Sequence, residues 1–304
     1  MELLKVWGNT WVLKSWNIIP LYKLDKTHCI LLDSGLMSQQ QEIDSLLRQK
    51  KLTCVGIIGS HAHLDHTGNH RYFQQRYGAT LAMPLGEAGL LASDLGTGMG
   101  IYNLSPGQIQ KEEQLSGISC LSDVIILPTE DRVTLHGVTF EVIHTPGHSI
   151  DHIAVKTPDE VLYLGDALMT GETLLHAKFP YAFSLADCFG SLRRLEKITA
   201  RSFIAAHFGV YPEISSHVRL ELDQLHNRML EILELVKGNC SLEQVTQKIC
   251  ESYGIRPKMV SDMAYFERAT RSYLHYLLDL GLLEEVLIEG LLRYRRTGAL
   301  PQRL

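Results

Sequence analysis

The sequence lacks the features that would place it in a membrane or in the secretory pathway. None of its 304 residues belongs to a run of the roughly 18 apolar residues that a membrane-spanning helix needs. The first residues, MELLKVWGNTW, contain neither a long apolar segment nor a cleavage site, so we expect no signal peptide. We therefore expect a cytoplasmic protein without a membrane partner.

Paired cysteines, a basic charge and two common catalytic motifs are also missing. The six cysteines form no Cys-x-x-Cys pair, which favours buried free thiols in a reducing compartment. The net charge of −5 gives no global reason to expect a nucleic-acid partner. No Gly-x-Ser-x-Gly elbow occurs, and no Gly-Lys-Ser/Thr follows the glycines at 96–100, which excludes those nucleophile and phosphate-loop chemistries.

The hydrophobic pattern divides the chain into two parts. Residues 1–211 contain short apolar strands between amphipathic helices, with a hairpin turn predicted at His136–Gly137. From 212 to 304 the pattern is mostly helical and ends in a hairpin over 284–296. We predict two domains with these bounds, and the second has the outline of a helical, winged-helix-like module.

One segment of the first part, residues 84–117, fits neither pattern. It is rich in glycine and contains DLGTGMG and LSPG. A segment of this length with so little periodicity is more often a functional loop or a lid than a packed element. We therefore predict a loop or lid here.

The most informative stretch is GIIGSHAHLDHTGNH, residues 56–70, where an apolar strand runs into a histidine cluster. His61 and His63 are two positions apart, so on an extended backbone both can reach one ion. Asp65 and His66 open a helix, where neighbouring side chains diverge and can serve a second ion nearby. Imidazole and carboxylate ligands suit zinc and iron.

Further candidate ligands lie where later strands end. His148 follows HTPG, Asp166 follows LYLG, and His207 follows FIAA. Strand ends converge at one edge of a sheet, where sites are built. We expect the other nearby side chains to be supporting or structural: His152 bracing the turn or a ligand, Asp33 supporting, His144 in a strand, and His70 on a helix surface.

His-x-His-x-Asp-His, with the later His, Asp and His at strand ends, resembles the metallo-β-lactamase superfamily over roughly residues 1–210. The resemblance implies an α+β fold, a four-layer αβ/βα sandwich, here followed by a small mainly helical domain. It also implies two divalent metal ions, zinc by default, with iron and manganese possible. In the implied ligand sets, one ion is held by His61, His63 and His148, the second by Asp65, His66 and His207, and both by Asp166.

The resemblance also implies a mechanism, and the sequence departs from the family pattern in two places. A hydroxide shared by the ions would attack the substrate, with Asp65 and Asp166 as catalytic residues that orient it and relay the proton. His207 lies in Ala-His-Phe-Gly rather than a Gly-His-Gly-like turn, which makes it the weakest match. His63 is not the glutamate of the redox di-iron relatives, which favours hydrolysis.

TPGHSIDH resembles the corresponding turn of the glyoxalase II and lactonase branches. We therefore predict a small acyl substrate, a thioester or an ester or lactone. We expect apolar residues of both parts to line its pocket: Leu90, Leu91, Met99, Ile101, Tyr102, Phe179, Tyr181 and Phe183.

Two other functions stay open at this point. A related branch with a winged-helix-like module cuts single-stranded RNA, but residues 215–304 carry 12 Lys and Arg against 12 Asp and Glu, a neutral balance. The second alternative is a metal-binding regulatory protein with weak catalysis. A homodimer is compatible with every one of these functions.

Overall fold

The computed structural model describes residues 1–15, 17–171, 174, 177–207 and 209–300, so residues 301–304 and Phe208 of the predicted turn lie outside the described part. Two sheets form its centre. The first contains seven strands in chain order: β1 (Glu2–Trp7), β2 (Thr10–Lys14), β3 (Ile18–Lys23), β4 (His28–Leu32), β5 (Thr53–Ile58), β6 (Thr80–Pro84) and β7 (Val124–Ile126). Pairing is antiparallel from β1 to β4 and parallel from β4 to β7.

The second sheet contains six strands, again neighbours in chain order. These are β8 (Arg132–Leu135), β9 (Val138–His144), β10 (Ile153–Lys156), β11 (Val161–Tyr163), β12 (Ser202–Ala205) and β13 (Gly209–Tyr211). The β8–β9 hairpin turns at His136 and Gly137, both at positive φ, as predicted. All pairs are antiparallel except β11–β12, which are parallel and therefore need a crossover.

Helices connect these strands and cover both outer faces. They are α1 (Gln40–Gln49), α2 (Leu64–Thr67), α3 (His70–Tyr77), α4 (Leu85–Leu91), α5 (Asp94–Gly100), α6 (Pro106–Ile109) and α7 (Leu185–Leu195). The last of them forms the β11–β12 crossover. Three further helices follow: α8 (Ser215–Leu235), α9 (Leu242–Ser252) and α10 (Val260–Asp279).

Successive residues of the first sheet's strands point to opposite faces and so belong to two different hydrophobic cores. Val12 and Ile30 face Phe140 and Ile153 between the sheets. Their neighbours Leu13 and Leu31 instead pack under α1 and α3, against residues such as Ile43 and Phe73. The two sheets face each other, and helices cover the outer face of each. The predicted four-layer sandwich with a C-terminal helical region is therefore confirmed.

The prediction of a loop over 84–117 is wrong, because the segment contains the three short helices α4, α5 and α6. Ser93 begins α5, since its Oγ accepts a hydrogen bond from Gly96 N–H (2.9 Å). A Cβ at Gly96 would lie 2.5 Å from Leu90 O, and one at Gly98 would lie 2.4 Å from Ile109 Cδ1. The glycines that obscure the helical pattern are therefore what lets these helices pack closely.

The C-terminal helices α8 and α10 pack against α7, which covers the second sheet, and the hairpin of β14 (Leu283–Ile288) and β15 (Leu291–Arg296) packs against α10. Met229 and Tyr273 belong to the same buried cluster as Leu162 and Phe203 of that sheet. The two predicted domains therefore share one core, and the boundary at 211/212 stays a prediction about the sequence. In the described part of the chain, no helix is both long and apolar enough to cross a membrane.

This shared core gives a prediction about unfolding. Met229 is fully buried, so Met229→Ala should lower the free energy of unfolding of the whole chain by about 2–5 kcal/mol. Urea unfolding followed by fluorescence and circular dichroism should show one transition, shifted as a unit. Asn227→Ala, an exposed change on the same helix, is the control. Two separate unfolding transitions, of which Met229→Ala shifts only one to lower urea concentration, would contradict a common core.

Candidate metal centre

All seven predicted ligands lie at one edge of the sandwich. His61 and His63 follow β5, and Asp65 and His66 belong to the single turn of α2. The remaining three come from the second sheet, listed with the element they follow: His148 after β9, Asp166 after β11, and His207 after β12. The edge is thus where both sheets contribute side chains, as the strand-end pattern predicts.

The ligand atoms form two groups that share one carboxylate. Within each group they all lie within 4.8 Å of one another. The groups are His61, His63, His148 and Asp166, and Asp65, His66, Asp166 and His207. This grouping has the same composition as the two ligand sets implied by the sequence, although their role as metal ligands stays a prediction.

Within each group, the nitrogen and oxygen atoms lie close to one another. His148 Nε2 lies 2.9 Å from His63 Nδ1 and 3.4 Å from Asp166 Oδ2. His207 Nε2 lies 3.1 Å from Asp65 Oδ2 and 3.4 Å from Asp166 Oδ1. Imidazole nitrogens and carboxylate oxygens therefore converge on two adjacent points.

The environment of His61 indicates whether the cluster is suited to a cation. The side chain is fully buried, and its Nε2 has no hydrogen-bond partner among the residues that the structure describes. Burying a polar atom without a partner is costly. Because the rings of His63, His66 and His148 surround it, a divalent cation in this cluster would satisfy that nitrogen, and the residues fit a metal.

The two groups differ in their affinity for protons. Burial lowers the pKa of His63 to about 3 and that of His148 to about 4, so both imidazoles are neutral and can offer a lone pair. Burial also acts on His207, but hydrogen bonds to Asp166 and Asp65 outweigh it and raise its pKa to about 9. The pKa of His66 is raised too, because three carboxylates outweigh its burial. The carboxylate-rich group therefore attracts positive charge most strongly.

Asp33 fixes the orientation of His66. Its buried carboxylate accepts hydrogen bonds from His66 Nδ1–H (2.7 Å), Ser60 N–H (2.6 Å), Ser60 Oγ–H (2.6 Å) and Tyr163 O–H (2.6 Å). With Nδ1 held in this way, His66 presents Nε2 to Asp65 and Asp166. Asp33 is thus a supporting residue, as its sequence context suggests.

Three other histidines are predicted to lie outside the ligand sets. His152 accepts a hydrogen bond from Asp166 N–H on Nε2 (3.1 Å) and contacts Thr145 Oγ1 with Nδ1 (2.8 Å), so it braces a predicted ligand as expected. His144 ends β9, also as expected. The surface position predicted for His70 is wrong, because α3 packs its first turn against the loop after β4 and His70 Nδ1 contacts Ser34 Oγ (2.8 Å).

Two cavities open beside the ligands. One, of about 550 Å³, is lined by Leu64, Ile101, Tyr102, Leu115, Met259 and Ala264, among others. The second, of about 560 Å³, is lined by residues that include Phe179, Ile255 and Phe266. His148, Asp166, Tyr181 and Tyr265 border both.

Half of the predicted pocket residues occupy other positions. Ile101, Tyr102, Phe179 and Tyr181 line the cavities as expected. Leu91 and Leu90 instead pack with the core under the first sheet, while Met99 and Phe183 are exposed. The helical folding of 84–117 explains the difference for Leu90, Leu91 and Met99, because one face of the short helices packs into the core and another is exposed, whereas Phe183 lies outside this segment.

Comparison with known proteins is consistent with this geometry. The Metallo-beta-lactamase superfamily profile matches residues 11–207. The chain therefore belongs to the metallo-beta-lactamase superfamily. Members of this superfamily typically bind divalent metals, usually zinc.

Similar curated proteins include a thioesterase and a hydroxyacylglutathione hydrolase. An atrochrysone carboxyl ACP thioesterase of Aspergillus fumigatus is 25% identical over 210 residues, 67% of this chain and 55% of that protein. A hydroxyacylglutathione hydrolase of Chromohalobacter salexigens is 27% identical over 158 residues, 51% of this chain and 49% of that protein. The chain spans about half the length of the curated relatives it matches.

Solved structures share the fold along nearly the whole chain. A beta-lactamase domain protein from Burkholderia ambifaria superposes with a TM-score of 0.73 at 18% identity, covering 97% of this chain and 94% of that one. A metallo-beta-lactamase family protein from Thermus thermophilus gives a TM-score of 0.68 at 19% identity, covering 97% of each chain. The C-terminal helices therefore occur in other proteins of this fold.

The raised pKa of His207 predicts how metal-free protein responds to pH. A group with a raised folded-state pKa stabilises below its unfolded value of 6.5, and this stabilisation is lost as pH rises through about 9. After chelation, stability should therefore fall between these pH values, and less steeply in His207→Gln. Urea unfolding across this range measures the slope. The exposed His275→Gln is the control, and an unchanged slope in His207→Gln would contradict the assignment.

Proposed function

We propose that this protein hydrolyses acyl thioesters, using two divalent metal ions held by the seven clustered residues. The observation that carries the proposal is that both ligand groups meet at Asp166, on the border of two largely apolar cavities. A hydrolase substrate has a group on each side of the bond that breaks. Two cavities that meet at the ligands suit such a substrate.

The ligand sets assign distinct tasks to the chain's residues. His61, His63 and His148 would hold one ion, and Asp65, His66 and His207 the other, with Asp166 shared. When bound, the ions supply water activated at neutral pH and polarise the carbonyl oxygen of the substrate. Zinc suits these ligands, and iron and manganese fit them as well.

The carboxylates would handle the proton. Hydrogen bonds and nearby histidines outweigh burial and keep the pKa of both Asp65 and Asp166 low, so both are ionised acceptors. A carboxylate oxygen of either residue can accept the proton of the attacking water and release it to the departing thiolate sulfur. A thiolate is a good leaving group, so this transfer need not precede bond cleavage.

The C-terminal region would form one wall of the substrate site. Arg268 on α10 donates a hydrogen bond to Ile101 O (2.5 Å), which joins α10 to the segment after α5. Between them lies the cavity of about 550 Å³, lined mostly by apolar side chains. Such a lining suits the acyl group, while the thiol part would occupy the cavity beside Phe179 and Ile255.

The rings of Tyr181 and Tyr265 separate the two cavities. They stack with centroids 5.0 Å apart and an interplanar angle of 25°. The thioesterase and the hydroxyacylglutathione hydrolase among the similar proteins support a thioester over a lactone. The similar proteins are thus the basis for preferring a thioester, and the apolar cavity is the basis for placing the acyl group.

The surface of the C-terminal region argues against the alternative of RNA cleavage. Of its basic hairpin residues, Arg295 pairs with Glu284 (2.9 Å) and Arg296 pairs with Glu234 (2.9 Å). A region with balanced and paired charges is poorly suited to holding a polyanion. We therefore make no nuclease proposal.

The direct test combines metal analysis with turnover. Protein purified without chelator should contain two metal ions per chain and hydrolyse an acyl-thioester series. Asp166→Asn should keep the fold but lower kcat by on the order of 10³-fold, because it removes the shared charge and a proton acceptor. The exposed Asp131→Asn is the control. Efficient cleavage of single-stranded RNA without thioester hydrolysis, or wild-type turnover in Asp166→Asn, would refute the proposal.

The assignment of the acyl cavity has its own test. Each buried CH₂ is worth about 0.8 kcal/mol, roughly fourfold in binding, so KM should fall with acyl chain length in the wild type. Ala264→Trp fills this cavity and should remove that dependence while short acyl groups still react. Ile255→Trp fills the other cavity and should leave the dependence intact. If Ile255→Trp instead removes the dependence on chain length and Ala264→Trp leaves it intact, the acyl group occupies the other cavity and this assignment is wrong.

A further inference from the structure

One buried carboxylate near the metal centre has no task in the proposed chemistry. Glu87 lies on α4 and has an exposed fraction of 0%. Its Oε2 accepts a hydrogen bond from Ala62 N–H (2.9 Å). Its Oε1 accepts hydrogen bonds from Ser149 Oγ–H (2.6 Å) and Asp151 N–H (2.8 Å). The two oxygens therefore contact two different loops.

These loops carry the three imidazoles of one ligand group. Ala62 lies between His61 and His63 in the loop after β5, and Ser149 follows His148 in the loop between β9 and β10. The first loop belongs to one sheet and the second loop to the other. A backbone hydrogen bond from Ile153 N–H to Ser60 O (3.1 Å) also joins them, but it lies farther from His148 along the chain.

The carboxylate is suited to this bridging position by its chemistry. Burial raises the pKa of Glu87, and the three hydrogen bonds act in the opposite direction. All three partners are donors, so the site requires a side chain with acceptors at both positions. An ionised carboxylate provides them, and the hydrogen bonds compensate its burial.

We propose that Glu87 is a positioning residue of the metal centre. By fixing the distance between the His61–His63 loop and His148, it sets the affinity for the ion that these three imidazoles hold. The inference rests on the proposed metal-dependent function. It adds a buried acid from α4 to the residues on which metal binding depends.

The neighbouring residue extends this connection to the segment over the substrate cavity. Gly86 N–H donates to Asp151 Oδ2 (2.8 Å), and a Cβ at Gly86 would lie 2.9 Å from Asp151 Cβ. The beginning of α4 is therefore held against the His148 loop at two adjacent residues. The same contacts at Gly86 and Glu87 therefore hold both the helices over 85–109 and the loops that carry the imidazoles.

Glu87→Gln tests the proposal with almost no change in shape. The amide presents N–H groups either to Ala62 N–H or to the donors at 149 and 151, so one side loses its acceptor. We expect Zn²⁺ affinity, measured by competition with a chromogenic chelator, to fall by about 10- to 100-fold. The Co²⁺-substituted protein should show an altered visible absorption spectrum. Both readouts are independent of turnover.

Asp44→Asn is the matched control. Asp44 is also a buried carboxylate, on α1, and its partners are Tyr77 and Arg48. Its substitution should lower the stability of the metal-free protein without changing Zn²⁺ affinity or the Co²⁺ spectrum. If Glu87→Gln behaves in this same way, its role is structural only and the proposal is overturned.

A milder variant keeps the test decisive if Glu87→Gln does not fold. Ser149→Ala removes one of the three hydrogen bonds and should weaken Zn²⁺ binding by a few-fold. Unchanged affinity in that variant would then overturn the proposal. A wild-type protein that binds no Zn²⁺, Fe²⁺ or Mn²⁺ would instead refute the proposed function itself, which separates the two failures.

Discussion

The buried carboxylate of Asp33 joins the parts of the structure on which the rest of the site depends. It lies just after β4 and binds Ser60 beyond β5, His66 on α2, and Tyr163 on β11. Ser60 Oγ is in turn 2.9 Å from His61 Nδ1, and β11 leads directly to Asp166. A single ionised group thus connects both sheets beside the ligands. Its hydrogen bonds therefore hold the four segments together through contacts within the protein alone.

The electrostatic asymmetry of the site follows from where the acids lie. Asp65, Asp33 and Asp166 surround His66, whereas the neighbours of His61 are other imidazoles and those of His63 are two imidazoles and two carboxylates. Neutral imidazoles bind a cation without first losing a proton, but protonated ones must release theirs. The two halves of the centre therefore respond to acid in different ways, although they share Asp166.

The sequence predicts the ligand cluster well because the positions of its members depend on local order. Histidines and acids that follow apolar strands reach one sheet edge when those strands run in the same direction, as β9, β11 and β12 do, so the strand-end pattern places His148 and Asp166 correctly. His70 and Glu87 could not be placed in this way. Their environment comes from tertiary contacts with Ser34, Ala62 and Ser149, and neither residue interrupts a periodic pattern in a way that signals burial.

The helices over 85–109 escape prediction for a related reason. Glycine has low intrinsic helix propensity, so DLGTGMG favours a loop on local grounds. Close packing against Leu90 and Ile109 outweighs that preference. The C-terminal region shows the same limit. Its helices and hairpin are predicted correctly, but the core they share with the second sheet depends on contacts that the periodicity of α8 does not identify.

Helix α10 presents core residues and cavity residues on different faces. Ala269, Tyr273 and Leu277 are buried in the core shared with the second sheet. Ala264, Tyr265 and Arg268 border the cavity beside the ligands, and Tyr265 is 43% exposed. Substitutions on the cavity face can therefore change the shape of that cavity while the packed face keeps the chain folded. Exchange of the whole C-terminal region would disturb both at once, so diversification in such a chain is expected to proceed residue by residue along this helix.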